Sequence, residues 1–136
     1  MFNDQAHKDA FLKLCPGKLL NDVEWSSPVF VLTSDSELRT KSMPHIKVKK
    51  REINWDKILS TDFGSGHYSA IYWAFTLWAG NSWQWNEKGE RVEPIDTMGR
   101  AYYMDEDLRR TAITALELRW RIKEIARKLQ QESTRP

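Results

Sequence analysis

Two of the three histidines in this chain stand where catalysis would be sought. His7 follows Asp4 by three residues, a spacing at which a carboxylate can orient an imidazole for general-base or metal work. The same spacing is that of a helix cap, and one carboxylate beside one histidine is not a constellation. His67 opens a strongly apolar segment, where it reads first as a packing or backbone-bonding residue and second as an acid or base paired with a carboxylate such as Asp62. Neither histidine belongs to an HExxH or to any spacing that dictates a metal site. No catalytic, metal or cofactor residue is assigned, and an enzyme centred on His67 is the third of three functional readings.

Cys15 is the only cysteine, which excludes an intramolecular disulfide and a thiolate cluster and fits a reducing compartment. It precedes Pro16 at a helix C-terminus, a poor place for a nucleophilic thiol. The run Gly64-Ser65-Gly66 lacks the Lys-Ser/Thr of a phosphate loop and reads as a helix entry rather than an anion site.

Binding residues are more abundant. Arg39, Lys41, Lys47, Lys49, Lys50 and Arg51 have no acidic residue among them, and Trp55 follows. Basic side chains with an interleaved aromatic can track a phosphate backbone and stack a base, so Lys47, Lys49, Lys50, Arg51 and Trp55 form a candidate nucleic-acid surface. The competing reading is an extended edge blunted by lysines. A net charge of +2 and a pI near 8.7 fall short of an obligate nucleic-acid binder. Trp83 and Trp85 are candidate protein-binding anchors on a turn, or else pack onto the central helix.

The elements that must position these residues follow from periodicity. With 136 residues the chain has the length of one domain, read as 1–132 with a flexible tail at 133–136. The fold class is mainly α: a compact helical domain around a buried central helix at 65–79, with Ser65 as N-cap and Gly80 as the stop signal. A first helix is capped by Asn3 or Asp4 and ends before Pro16-Gly17. Residues 28–33 are β-branched like a strand, but the Ser-Ser-Pro entry favours a helix. A small β-hairpin or a loop is expected at 83–93.

A long amphipathic helix is expected over 105–131, with an acidic first turn and no Gly or Pro to interrupt it. Leu108, Ala112, Leu116 and Trp120 form its spacing-of-four face. Ala115, Leu118, Ile122, Ile125 and Leu129 form a heptad-like seam. Leu118, Ile122, Ile125 and Leu129 therefore read either as an intramolecular face or as a homodimer interface. The second half of the helix is basic, through Arg121, Lys123, Arg127 and Lys128.

Three segments together resemble a family. Phe2-Asn3-Asp4-Gln5-Ala6-His7, Ala74-Phe75-Thr76-Leu77-Trp78-Ala79-Gly80, and Pro94-Ile95-Asp96 with Met104-Asp105-Glu106-Asp107-Leu108 resemble, in order, a family of short bacterial proteins known as a domain of unknown function. This chain departs from that pattern at Thr76, Trp78 and Ala79 and in its more basic C-terminal helix. The resemblance implies a largely helical, bacterial or phage-borne domain and assigns no catalytic residue.

The first functional reading is a small non-enzymatic interaction protein of a bacterium or mobile element, adaptor or inhibitor in type. It would bind a protein partner through aromatic and basic-helix surfaces. The alternative is a nucleic-acid-binding accessory domain using the 39–51 basic run. The N-terminus lacks the signature of a signal peptide and no segment reaches membrane-spanning length, so a cytoplasmic location is expected.

Overall fold

The computed structural model describes residues 1–81, 83–85, 87–94 and 96–135, and for 83–85 and 91–94 the backbone only. Its helices are α1 (Gln5–Leu14), α2 (Val23–Leu32), α3 (Ser36–Ser42), α4 (Trp55–Leu59), α5 (Ser65–Ala79), α6 (Thr97–Arg100), α7 (Glu106–Arg119) and α8 (Lys123–Ser133). Three short 3-10 segments, Gly17–Asn21, Met43–His45 and Ala101–Tyr103, and two small antiparallel hairpins, β1 (Ile46–Lys47) with β2 (Glu52–Ile53) and β3 (Trp83–Trp85) with β4 (Arg91–Pro94), complete the order of the described residues. The mainly α class and the boundaries of the 65–79 helix are as the sequence predicts, and of the two alternatives at 83–93, hairpin or loop, the backbone takes the hairpin.

The ambiguous 28–33 segment is helical, and α2 starts earlier than the Ser-Ser-Pro entry suggested, at Val23. Every residue of α2 except Glu24 is buried. Burial on all sides explains its strand-like composition, because a helix enclosed by neighbours needs apolar residues at every position rather than on one stripe. Pro28 sits inside it and removes one backbone donor. The indole of Trp25, fully buried, donates from Nε1 to the carbonyl of Leu14 at 2.8 Å and ties α2 to the end of α1. The helix packs most extensively against α5 and α7.

α5 lies beside it and buries Ser69, Ala70, Ile71, Ala74 and Leu77, while its aromatic residues are half-buried around the rim. Its cap is Gly64, with Ser65 as the first helical residue, and Gly80 takes the left-handed conformation at its end with φ +75°.

The continuous helix expected over 105–131 is two helices. α7 stops at Arg119, and the Arg121 N–H bonds the Leu118 carbonyl while the Ile122 N–H bonds the Glu117 carbonyl, each at 3.0 Å. That pair of reversed bonds is a Schellman motif, with Arg121 at φ +55° in the position where glycine is usual. A left-handed non-glycine residue costs about 1 kcal/mol, so tertiary packing makes the break. A straight helix would carry Ile125 and Leu129 away from the domain at about 1.5 Å per residue. The corner returns them to the core, 8% and 3% exposed. α8 runs to Ser133, the first residue of the expected tail, the Arg135 carbonyl accepts from Lys8 Nζ at 3.1 Å, and the N-terminal amine meets Glu132 of α8 at 3.2 Å.

Candidate functional site

His7 is a core residue. Its Nδ1 accepts from the Asn3 backbone N–H at 3.1 Å, and its Nε2 lies 2.9 Å from the Phe30 carbonyl, so the Nε2-H tautomer satisfies both nitrogens. Burial lowers its pKa from 6.5 to about 4, against the raising effect of the Phe30 carbonyl. Asp4 accepts from the His7 backbone N–H at 2.8 Å, which makes the Asp4–His7 spacing a helix cap.

His67 contacts a carboxylate at each nitrogen, Asp35 from Nε2 at 2.9 Å and Glu37 from Nδ1 at 3.2 Å. With both nitrogens engaged, the ring has no free position to take a proton from a substrate and instead braces the start of α5 against the start of α3. Asp62, the carboxylate expected beside it, instead presents its backbone carbonyl to Lys41 at 2.6 Å. The Lys41 ammonium, 2.8 Å from Glu37, holds that carboxyl below its ordinary pKa. Cys15 is buried, and desolvation pushes its thiol up, away from the reactive thiolate.

The N-cap aspartates of α1, α3 and α7 line one cleft of about 660 Å³. Asp4, Asp35 and Asp105 each accept backbone N–H bonds at 2.8 to 3.1 Å. Asn3 crosses the cleft, donating from Nδ2 to the Ser34 carbonyl at 3.2 Å and to Thr111 Oγ1 at 3.1 Å. The acids neutralise three helix N-termini that meet here. Among the described residues no group of three or more His, Cys, Asp or Glu side chains could hold a metal ion.

The 47–51 surface is only partly what the sequence suggested. Lys47, Lys49 and Lys50 are exposed on the β1–β2 hairpin. Arg51, by contrast, grips Asp22 at 2.7 and 3.0 Å, reaches Glu24 at 3.7 Å and lies 5.2 Å from the ring centroid of Trp78. Its hydrogen bonds hold the Asp22 carboxyl below the usual range. Trp55 is 9% exposed and packs edge-on to Phe75, which removes it as a platform for stacking a base. Both are therefore structural residues, because a small core uses its large aromatics for packing and an ion pair fixes the turn.

The Leu118–Leu129 seam is likewise closed by the chain itself. Leu118, Ile125 and Leu129 are 3 to 8% exposed, and only Ile122, at the corner, remains open at 40%. The side chains of Trp83 and Trp85 lie outside the described residues.

An apolar surface absent from the sequence reading lies along α7. Leu108, Ala112, Ala115 and Leu118 face the core, while Ile113, Leu116 and Trp120, at helical spacing, form a second stripe. Ile113 is 57% and Trp120 67% exposed, so Trp120 leaves the spacing-of-four core face on which the sequence placed it. Trp73 of α5 borders this stripe, donating from Nε1 to the Ala112 carbonyl at 3.0 Å. Trp73, Leu77, Met98 and Leu116 line a groove of about 320 Å³. Arg109 bonds the Tyr102 carbonyl at 2.6 Å one turn before Ile113, which sets the exposed pair Tyr102–Tyr103 near the end of the stripe. The signal for this surface was an excess of apolar positions on α7, more than one helix face can bury.

No protein-family model matches the chain, and comparisons with curated proteins and with solved structures find no match either.

Proposed function

We propose that this chain is a small non-enzymatic interaction protein, adaptor or inhibitor in type, that binds a protein partner through the outer stripe of α7. One observation carries the reading: Met98, Tyr102, Tyr103, Ile113 and Trp120 are 57 to 83% exposed on neighbouring elements. Large aromatic and aliphatic side chains clustered around a groove are the composition of binding hot spots. The groove between Trp73, Leu77, Leu116 and Met98 has room for an anchoring side chain from the partner. The histidines add support, since the ring nitrogens of His7 and His67 are engaged within the fold.

The test places a photo-cross-linking amino acid at Met98 and, as a control, at Lys50. The expected result is one discrete adduct from position 98 that disappears in an Ile113→Glu/Trp120→Glu background, with helical circular dichroism unchanged. Loss of a hot spot of this kind weakens binding by about thirtyfold or more. Equal adducts from both positions, or none from position 98, would remove the proposal. An adduct with the mass of two chains would make the partner a second copy.

A further inference from the structure

Arginine occupies both left-handed non-glycine positions among the described residues, Arg51 at φ +50° and Arg121 at φ +55°. Arg51 has evident structural uses in its Asp22 pair and its contact with Trp78. The Arg121 guanidinium has none: it is exposed and makes no hydrogen bond or ion pair with any described residue. At the C′ position of a Schellman motif a glycine would close α7 at lower conformational cost. A strained backbone that presents an idle arginine points to a use outside the fold.

The surroundings say what that use is. Arg121 borders the short 3-10 segment Gly17–Asn21 in a crevice shared with Asn21 and Ala126. Gln130 of α8 donates to Asn21 Oδ1 at 2.9 Å, and Arg51 of the basic turn grips Asp22, the next residue. Residues 21 and 22 therefore hold the basic turn and the basic helix side by side. On α8 the four-residue spacing puts Lys123 and Arg127 on one face, turned away from the buried Ile125. Lys18, Lys49, Lys50, Arg121, Lys123 and Arg127 are all exposed, and none makes an ion pair among the described residues. Asp22, which lies between the two basic elements, is already paired with Arg51, and Glu124 of α8 lies 3.7 Å from Lys128.

We propose that Arg121 anchors a surface that binds the phosphate backbone of nucleic acid, flanked by Lys18, Lys49, Lys50, Lys123 and Arg127. The inference goes beyond the protein-binding reading and does not depend on it. A guanidinium matches a phosphate through two parallel hydrogen bonds, and point-charge lysines around it suit a repeating polyanion. A bilayer fits less well, because the apolar face of α8, Ile125 and Leu129, is spent inside the domain. Trp55 and Trp78 of this region are packed together, so contact is made with the backbone and not by base stacking.

The test titrates the purified chain into a fluorescent 20-base-pair duplex and a single strand of equal length at 50, 100 and 200 mM NaCl, with anionic lipid vesicles as a third arm. Contact with roughly five phosphates predicts a log–log salt slope near −4.5 on the duplex. Arg121→Gly should raise the midpoint of thermal unfolding yet weaken binding about tenfold at 50 mM NaCl. Lys49→Glu/Lys50→Glu, on an exposed turn, should weaken binding alike for every sequence and flatten the slope. Met98→Ser/Ile113→Ser, uncharged changes on the α7 stripe, should leave binding unchanged, which separates failure here from failure of the protein-binding reading. The inference is overturned if Arg121→Gly binds as tightly as the parent, if neither oligonucleotide binds at 50 mM NaCl, or if only vesicles bind.

Discussion

Mild acid should weaken this fold through His7. The ring is fully buried, with its pKa lowered from 6.5 to about 4, so the unfolded chain takes up a proton in a range where the folded chain does not. For a group whose folded pKa is depressed, stability is fully present above the unfolded value and is lost as pH falls toward the folded one. Between those two values the slope is about 1.4 kcal/mol per pH unit. Integrated from pH 7 to pH 5, the loss is about 2 kcal/mol, and the complete loss below pH 4 is about 3 kcal/mol. The carboxylates held low by cationic partners, Asp22 and Glu37, bear the opposite relation to their charged form. Their contributions disappear only below the ordinary carboxylate range and leave the pH 5 to 7 window nearly flat. Urea unfolding at pH 7, 6 and 5 measures the slope, and the same series on His7→Gln isolates it, because glutamine has nothing to titrate. Nitrogen NMR of the His7 ring should show the neutral Nε2-H tautomer at pH 5. A parent protein whose urea midpoint falls no further than that of His7→Gln, or a His7 ring protonated at pH 5.5, would refute the reasoning.

Two other perturbations test the packing. Ser26, fully buried in α2, carries a hydroxyl with no hydrogen-bond partner, so Ser26→Ala should stabilise the chain by about 1 kcal/mol in chemical denaturation through lost desolvation cost and better helix propensity. A destabilised variant would mean that the hydroxyl is satisfied in solution. Asp105 caps α7 by accepting from the Leu108 N–H at 2.8 Å, so Asp105→Ala should cost about 1 kcal/mol and raise amide exchange in the first turn of α7; unchanged exchange at Leu108 would count against the cap.

The candidate surfaces divide by the kind of information they need. Lys47, Lys49 and Lys50 were legible as exposed because a charged alternation beside a turn has no other comfortable place. Arg51 and Trp55, drawn from the same run, were not separable from them by sequence, since an arginine in a long-range pair and one in solvent have the same neighbours along the chain. The α7 stripe was hidden for a related reason: two apolar faces on one helix look alike until a partner helix covers one. Here α2 and α5 pack on α7, where Leu108, Ala112, Ala115 and Leu118 are buried and Ile113 and Trp120 stay outside.

By itself the sequence determined the local grammar: the 65–79 helix with its glycine exit, a first-helix cap at Asn3 or Asp4, the acidic first turn after residue 104, the helical class, and the single thiol that cannot form an internal disulfide. Each depends on contacts within a few residues, such as a cap to N–H groups two and three positions on or a left-handed glycine after the last turn. Only the tertiary structure decided the break at Arg121, the burial of α2 on nearly every side, and the division of aromatics between core and surface. The corner at Arg121 lacks the glycine that would announce it. It exists because burying Ile125 and Leu129 against the rest of the domain outweighs the local cost of a left-handed arginine, and that balance involves residues a hundred positions apart.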